Sequence, residues 1–145
     1  MISTPAQYED VQSLILGHKL GAGIHRLVYE YRPDPAWVVK VACECPNINV
    51  LEEEVWSSIK EADMSKWFAP CGRISECGIF LLQRKVESLP IAQYPTHVPS
   101  FFGDLKYTNF GLYQGRFVCC DYASFIATSM CHKWSGRMKK ADWWE

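Results

Sequence analysis

The apolar positions of this chain change period several times, and each change marks a new element. Over residues 5–16 they fall at Val11, Leu14 and Ile15, which is helical spacing. Thr4 is placed to cap that helix and Pro5 to open it. Residues 24–31 are then rich in strand formers, Pro33-Asp34-Pro35 breaks the run, and residues 36–42 form a second apolar strand. The short break makes the pair a hairpin. Residues 49–60 return to helical spacing, with Leu51, Val55, Trp56 and Ile59 as the apolar face. Asn49 and Glu52 there match a capping box. Residues 71–86 read as two strands around Gly78, and residues 110–121 as a hairpin turning at Gln114-Gly115. Between them, residues 90–99 form a proline-rich connection, the natural place for a boundary between two lobes. The tail from Thr128 is rich in Trp, Lys and Arg and is expected to form a short helix. There is no internal repeat and no low-complexity segment.

Composition narrows the class. The chain has 145 residues, one domain's length, and is 48% hydrophobic and 21% charged, as folded globular proteins are. A net charge of -1 offers no global attraction to nucleic acid or to an anionic membrane. The first ten residues lack the basic and apolar regions of a signal segment, and no apolar run approaches the roughly 20 residues that span a bilayer. The expectation is a cytoplasmic protein whose seven cysteines are reduced thiols. They contain no C-x-x-C pair, so no zinc motif is written locally.

Four groups of residues carry candidate chemistry. Gly21 and Gly23 let backbone N–H groups approach a phosphate closely, although an ordinary hairpin turn uses the same residues. Lys40 lies in the apolar strand Val38-Val39-Lys40-Val41-Ala42, where a buried ammonium requires an anionic partner and an edge lysine would face water. Glu52 on the next helix is one such anion, with Glu53 and Glu54 as alternatives. Finally, Asp104, Lys106 and Asn109 occur in Gly103-Asp104-Leu105-Lys106-Tyr107-Thr108-Asn109, and Asp121 follows twelve residues later. Phosphoryl transfer needs a carboxylate at the attacking hydroxyl, a cation at the transferred group and oxygen ligands for Mg²⁺. This set supplies all three.

In order and spacing these groups resemble the protein-kinase-like superfamily over residues 16–124. Gly21-x-Gly23-x-x-x-x-Val28 is similar to the glycine-rich loop, Val38-Val39-Lys40 to the strand of the ATP lysine, and Glu52 to the helix glutamate that pairs with it. Residues 81–85 fall at the adenine hinge. Asp104-Leu-Lys106-x-x-Asn109 is similar to the catalytic loop, and Asp121-Tyr122-Ala123 stands where Asp-Phe-Gly would be. The resemblance implies ATP and Mg²⁺ as cofactors. Gly21, Gly23, Val28, Lys40 and Glu52 would bind the nucleotide, Asp104 would be the base and Lys106 the contact to the γ-phosphate. Asn109 and Asp121 would be the metal ligands.

There are departures: Arg26 replaces the third glycine, Phe102-Gly103 replaces the usual His-Arg before Asp104, its glycine being similar to the His-Gly-Asp of the aminoglycoside and choline kinase branch, and Ala123 replaces the last glycine. From Tyr122 to Glu145 there are 24 residues, so the implied fold is α+β. It would have an antiparallel kinase-like N-lobe sheet with one prominent helix (residues 1–89), a linker (90–99) and a strongly reduced C-lobe (100–145). The implied function is a minimal serine/threonine-type protein kinase. The alternative is a weak or inactive kinase-like module that regulates a partner protein by contact, its tail tryptophans either anchoring that partner or covering the shortened core. A protein substrate or partner is expected and nucleic acid is not; a second copy could cover surfaces left bare by the short C-lobe.

Overall fold

A computed structural model of the chain describes residues 4–23, 25–43, 47–125 and 134–145. The architecture is α+β, built on a five-stranded antiparallel sheet with few helices. Two compact units divide it: Met1–Val50 with Gly72–Lys85, and Leu51–Cys71 with Val86–Glu145.

The first unit opens with helix α1 (Pro5–Ile15), capped as its sequence predicts. The Thr4 hydroxyl accepts from the Gln7 amide, and the Gln7 side chain accepts from the Thr4 amide. Strands β1 (Leu16–Ala22), β2 (Arg26–Tyr31), β3 (Trp37–Ala42), β4 (Cys71–Ile74) and β5 (Phe80–Arg84) follow, in the sheet order β1-β2-β3-β5-β4. Val38, Val39, Lys40 and Ala42 are all buried, so β3 is covered on both faces. Trp37 stacks across the sheet end: the Arg84 guanidinium lies 4.0 Å from its ring centroid. A Cβ on Gly72 would come within 2.6 Å of the same ring, so any larger residue there would have to displace the indole.

Helix α2 (Asn47–Ile59) starts two residues before the expected cap. Asn49 is therefore not a cap residue. Its side chain is fully buried, because it finds better partners in the sheet than at a helix end. Nδ2 lies 3.0 Å from the Lys40 carbonyl and 2.9 Å from those of Gly78 and Ile79, while Oδ1 accepts from Arg26 Nη1. The helix face is also reset. Val55 and Ile59 are buried as expected, but Leu51 is half exposed and Glu52 takes the inward position.

The second unit is organised by aromatic rings. Phe68, at the end of the 3-10 helix Asp63–Trp67, contacts Phe101, Phe102, Tyr122 and Phe125. Strands β7 (Phe110–Tyr113) and β8 (Arg116–Cys119) form the expected hairpin. Its turn residues Gln114 and Gly115 both have positive φ, 51° and 76°, as a type I′ turn requires. Strand β6 (His97–Pro99) pairs with β9 (Met138–Lys140). That strand corrects the helix expected for the tail wherever the tail is described; residues 126–133 lie outside the described set. Trp143 turns inward onto Tyr94, Tyr107, Phe110 and Phe117. Among the described residues, no helix is long and apolar enough to cross a membrane.

Candidate functional site

In the first unit the register aligns three predicted residues. Gly21 faces Val28 across β1–β2, Val28 faces Lys40 across β2–β3, and Lys40 faces Leu81 across β3–β5. Residues directly opposite in an antiparallel sheet share a face, so Gly21, Val28 and Lys40 stand in one row. The row is open at its glycine end, where a Cβ on Gly21 would meet nothing within 4 Å. The Lys40 side chain is 4% exposed. Gly23 behaves differently: its amide donates to the Arg26 carbonyl at 2.8 Å. Arg26, where a third loop glycine would stand, is buried and reaches Asn49.

In the second unit the distal motif folds onto itself. Asn109 Nδ2 donates to Asp104 Oδ2 at 3.3 Å, and the Asn109 carbonyl accepts from the Cys120 amide at 2.7 Å. The β7–β8 hairpin thus returns the chain so that Asp121 leaves it beside Asn109. Asp104 and Asp121 then line a single pocket of about 260 Å³, walled by Phe101, Phe102, Tyr122 and Phe125. A wall of rings beside two exposed carboxylates combines an apolar seat with hard oxygen donors.

One solved structure similar to this chain is that of APH(2")-IIa, an aminoglycoside phosphotransferase, in a ternary complex with streptomycin and ATP. The likeness covers 63% of this chain and 31% of that one, at 18% identity and a TM-score of 0.45. No protein-family model matches the sequence, and no curated protein does. The candidate site therefore stands on its own geometry.

Glu52 illustrates that geometry. Of the three adjacent glutamates it alone is buried; Glu53 accepts from the Ser57 hydroxyl and Glu54 is exposed. A buried carboxylate must be hydrogen-bonded, and one of its donors is the Tyr122 amide, 2.8 Å from Oε2. Tyr122 is fixed at its other end as well. Its hydroxyl donates to the Ala69 carbonyl at 2.7 Å, so the Cys71 thiol, 3.1 Å away, is left as the donor to that oxygen. Asp121 is thereby followed by a residue held by both its backbone and its side chain.

The segment carrying Lys106 is braced from two sides. The Tyr94 hydroxyl donates to the Tyr107 carbonyl at 2.8 Å. Burial, with Cys120 and Tyr107 nearby, pushes the Tyr94 phenol up, so it stays a donor through the neutral range. On the other side, the Trp144 amide donates to the Leu105 carbonyl and the Tyr107 amide to the Trp144 carbonyl. Burial, and then Cys120, pushes the Cys119 thiol well above its ordinary range. It stays protonated and is no nucleophile.

The donor chemistry suits Mg²⁺. This ion takes hard oxygen ligands and is usually held by one or two carboxylates plus substrate phosphates, not by a protein cage. No group of three or more His, Cys, Asp or Glu among the described residues is arranged as such a cage. Asp121 offers a carboxylate, and the Asn109 amide oxygen is not used in its bond to Asp104. Sequence reasoning missed Asn49, Tyr94 and Trp144 as organisers. The available signal for Asn49 was a polar residue beside the apolar stripe of α2; Tyr94 and Trp144 carried none, because their partners are distant in the chain.

Proposed function

We propose that the chain is a protein-kinase-like phosphotransferase using ATP and Mg²⁺, of the serine/threonine type. The observation carrying this reading is the convergence of Asp104 and Asp121 on one pocket, with Asn109 bonded to Asp104. Asp104 orients an acceptor hydroxyl and takes its proton, and Lys106 offsets charge on the transferred phosphoryl group. Asn109 and Asp121 hold the metal, which neutralises phosphate charge when bound. Lys40, in the row shared with Gly21 and Val28, holds the nucleotide phosphates, and Glu52 keeps the segment after Asp121 in place. The arrangement works by position and charge more than by covalent chemistry.

Purified protein with Mg²⁺ and γ-labelled ATP is expected to label itself or a general protein acceptor. Asp121→Ala and Asp104→Asn should each lower the rate by about a hundredfold or more. No transfer with Mg²⁺ or Mn²⁺ would overturn the reading.

A second reading draws on Gly23 and Arg26. With the loop amide closed onto Arg26, a nucleotide has one backbone donor fewer. A weak or inactive kinase-like module that regulates a partner by binding would tolerate that loss. ATP binding without any transfer would favour it.

A further inference from the structure

We infer that Trp144 is the positioning residue for Lys106: its indole face holds the lysine ammonium beside the Asp104 segment. This rests on the phosphotransferase reading above, in which Lys106 contacts the transferred group. The Lys106 Nζ lies 5.4 Å from the Trp144 ring centroid, within the range of a cation–π contact. Two backbone bonds set the indole there. The Trp144 amide donates to the Leu105 carbonyl at 3.1 Å, and the Tyr107 amide donates to the Trp144 carbonyl at 2.9 Å, so Trp144 bridges Lys106 in parallel register.

The preceding residues anchor this short pairing. Strand β9 is hydrogen-bonded to β6, the Ala141 amide donates to the Thr96 carbonyl, and Trp143 Nε1 donates to the Pro95 carbonyl. Extended backbone sends successive side chains to opposite sides. Trp143 enters the aromatic cluster, which leaves Trp144 on the side of Lys106.

A lysine head is a compact charge on a flexible four-carbon stem, and its rotamer freedom must be lost before it can serve one phosphoryl oxygen. The indole face removes part of that freedom in advance. Trp144 itself is 49% exposed, too open for burial to explain a tryptophan there. No carboxylate is needed to hold the ammonium, so its charge remains available to an incoming phosphate.

The test compares wild type, Trp144→Phe, Trp144→Leu, Lys106→Ala and Lys106→Ala with Trp144→Leu in steady-state transfer from Mg²⁺-ATP. Trp144→Leu keeps the backbone bonds and apolar cover but has no aromatic face. It should lower kcat by about threefold to fivefold with KM for ATP changed by less than about twofold, and Trp144→Phe should restore most of the loss. In the double variant, Trp144→Leu should add nothing to Lys106→Ala. A Trp144→Leu effect that multiplies with Lys106→Ala, or is absent while wild type transfers phosphate, overturns the inference alone. A wild type that transfers none overturns the phosphotransferase reading and this inference with it. Should Trp144→Leu not fold, the wild-type NMR spectrum decides: the Lys106 ε-methylene protons must be shifted upfield by the indole ring, and ordinary shifts refute the contact.

Discussion

A buried amide has a carbonyl oxygen and two N–H groups to satisfy, and Asn49 does so entirely inside the first unit. Its Nδ2 faces the carbonyls of Lys40, Gly78 and Ile79, and its Oδ1 accepts a hydrogen bond from Arg26 Nη1. This one side chain ties the first turn of α2 to β3, to the turn before β5 and to the start of β2. Asn49→Ala would take one hydrogen-bond partner from each of these carbonyls and from Arg26, and leave a small void in their place. Net loss of a buried hydrogen bond costs about 0.5–1.5 kcal/mol, so urea denaturation should report a loss of about 2–4 kcal/mol. A loss below about 1 kcal/mol would show that water or a shift of Arg26 replaces the amide. Glu52 teaches a related lesson. Helical spacing permits either Leu51 or Glu52 to face inward with Val55 and Ile59. The Tyr122 amide at 2.8 Å is one contact that favours the glutamate.

Among the elements, the β7–β8 hairpin does most to assemble the distal site. Its register, from Phe110 opposite Cys119 to Tyr113 opposite Arg116, returns the chain to Asn109 and places Asp121 in the pocket with Asp104. The register depends on a two-residue turn with both φ values positive. Glycine adopts that conformation without steric cost, and asparagine tolerates it better than glutamine. Gly115→Ala should therefore cost about 1 kcal/mol, and Gln114→Asn should be neutral or slightly stabilising, both read by chemical denaturation. Equal losses in the two variants would contradict the turn assignment. The tail shows the opposite relation between composition and element. Its Trp, Lys and Arg content is compatible with a helix, yet residues 138–140 form a strand, paired with β6 from His97 opposite Lys140 to Pro99 opposite Met138.

For the whole molecule, the proposed function makes nucleotide binding a stability statement. A ligand that binds only the folded state stabilises it by about 2.7 kcal/mol at a hundred times its Kd. For a chain of this size that raises Tm by roughly 5–10 °C. Thermal denaturation with saturating Mg²⁺-ATP should show such a rise. It should shrink markedly when Mg²⁺ is chelated or when Lys40→Ala or Asp121→Ala is used. No shift at millimolar nucleotide would rule out the ATP site while leaving the fold intact.

By itself the sequence determined several of the local elements, though neither strand β1 nor the strand of the tail. Periodicity located α1 and the β2–β3 hairpin to within about two residues, and Gln114-Gly115 located the β7–β8 turn. These features depend on the spacing of side chains along one segment and on the φ each residue tolerates, which neighbouring residues carry in full. Tertiary structure alone decided which glutamate is buried, that Asn49 is a sheet strut and not a cap, and that the tail is a strand whose Trp144 meets Lys106. It alone also brought Asp104 and Asp121 to one pocket. In each case the deciding contact joins groups far apart in the chain, and a buried polar atom takes whichever distant partner the packed chain brings within hydrogen-bonding reach.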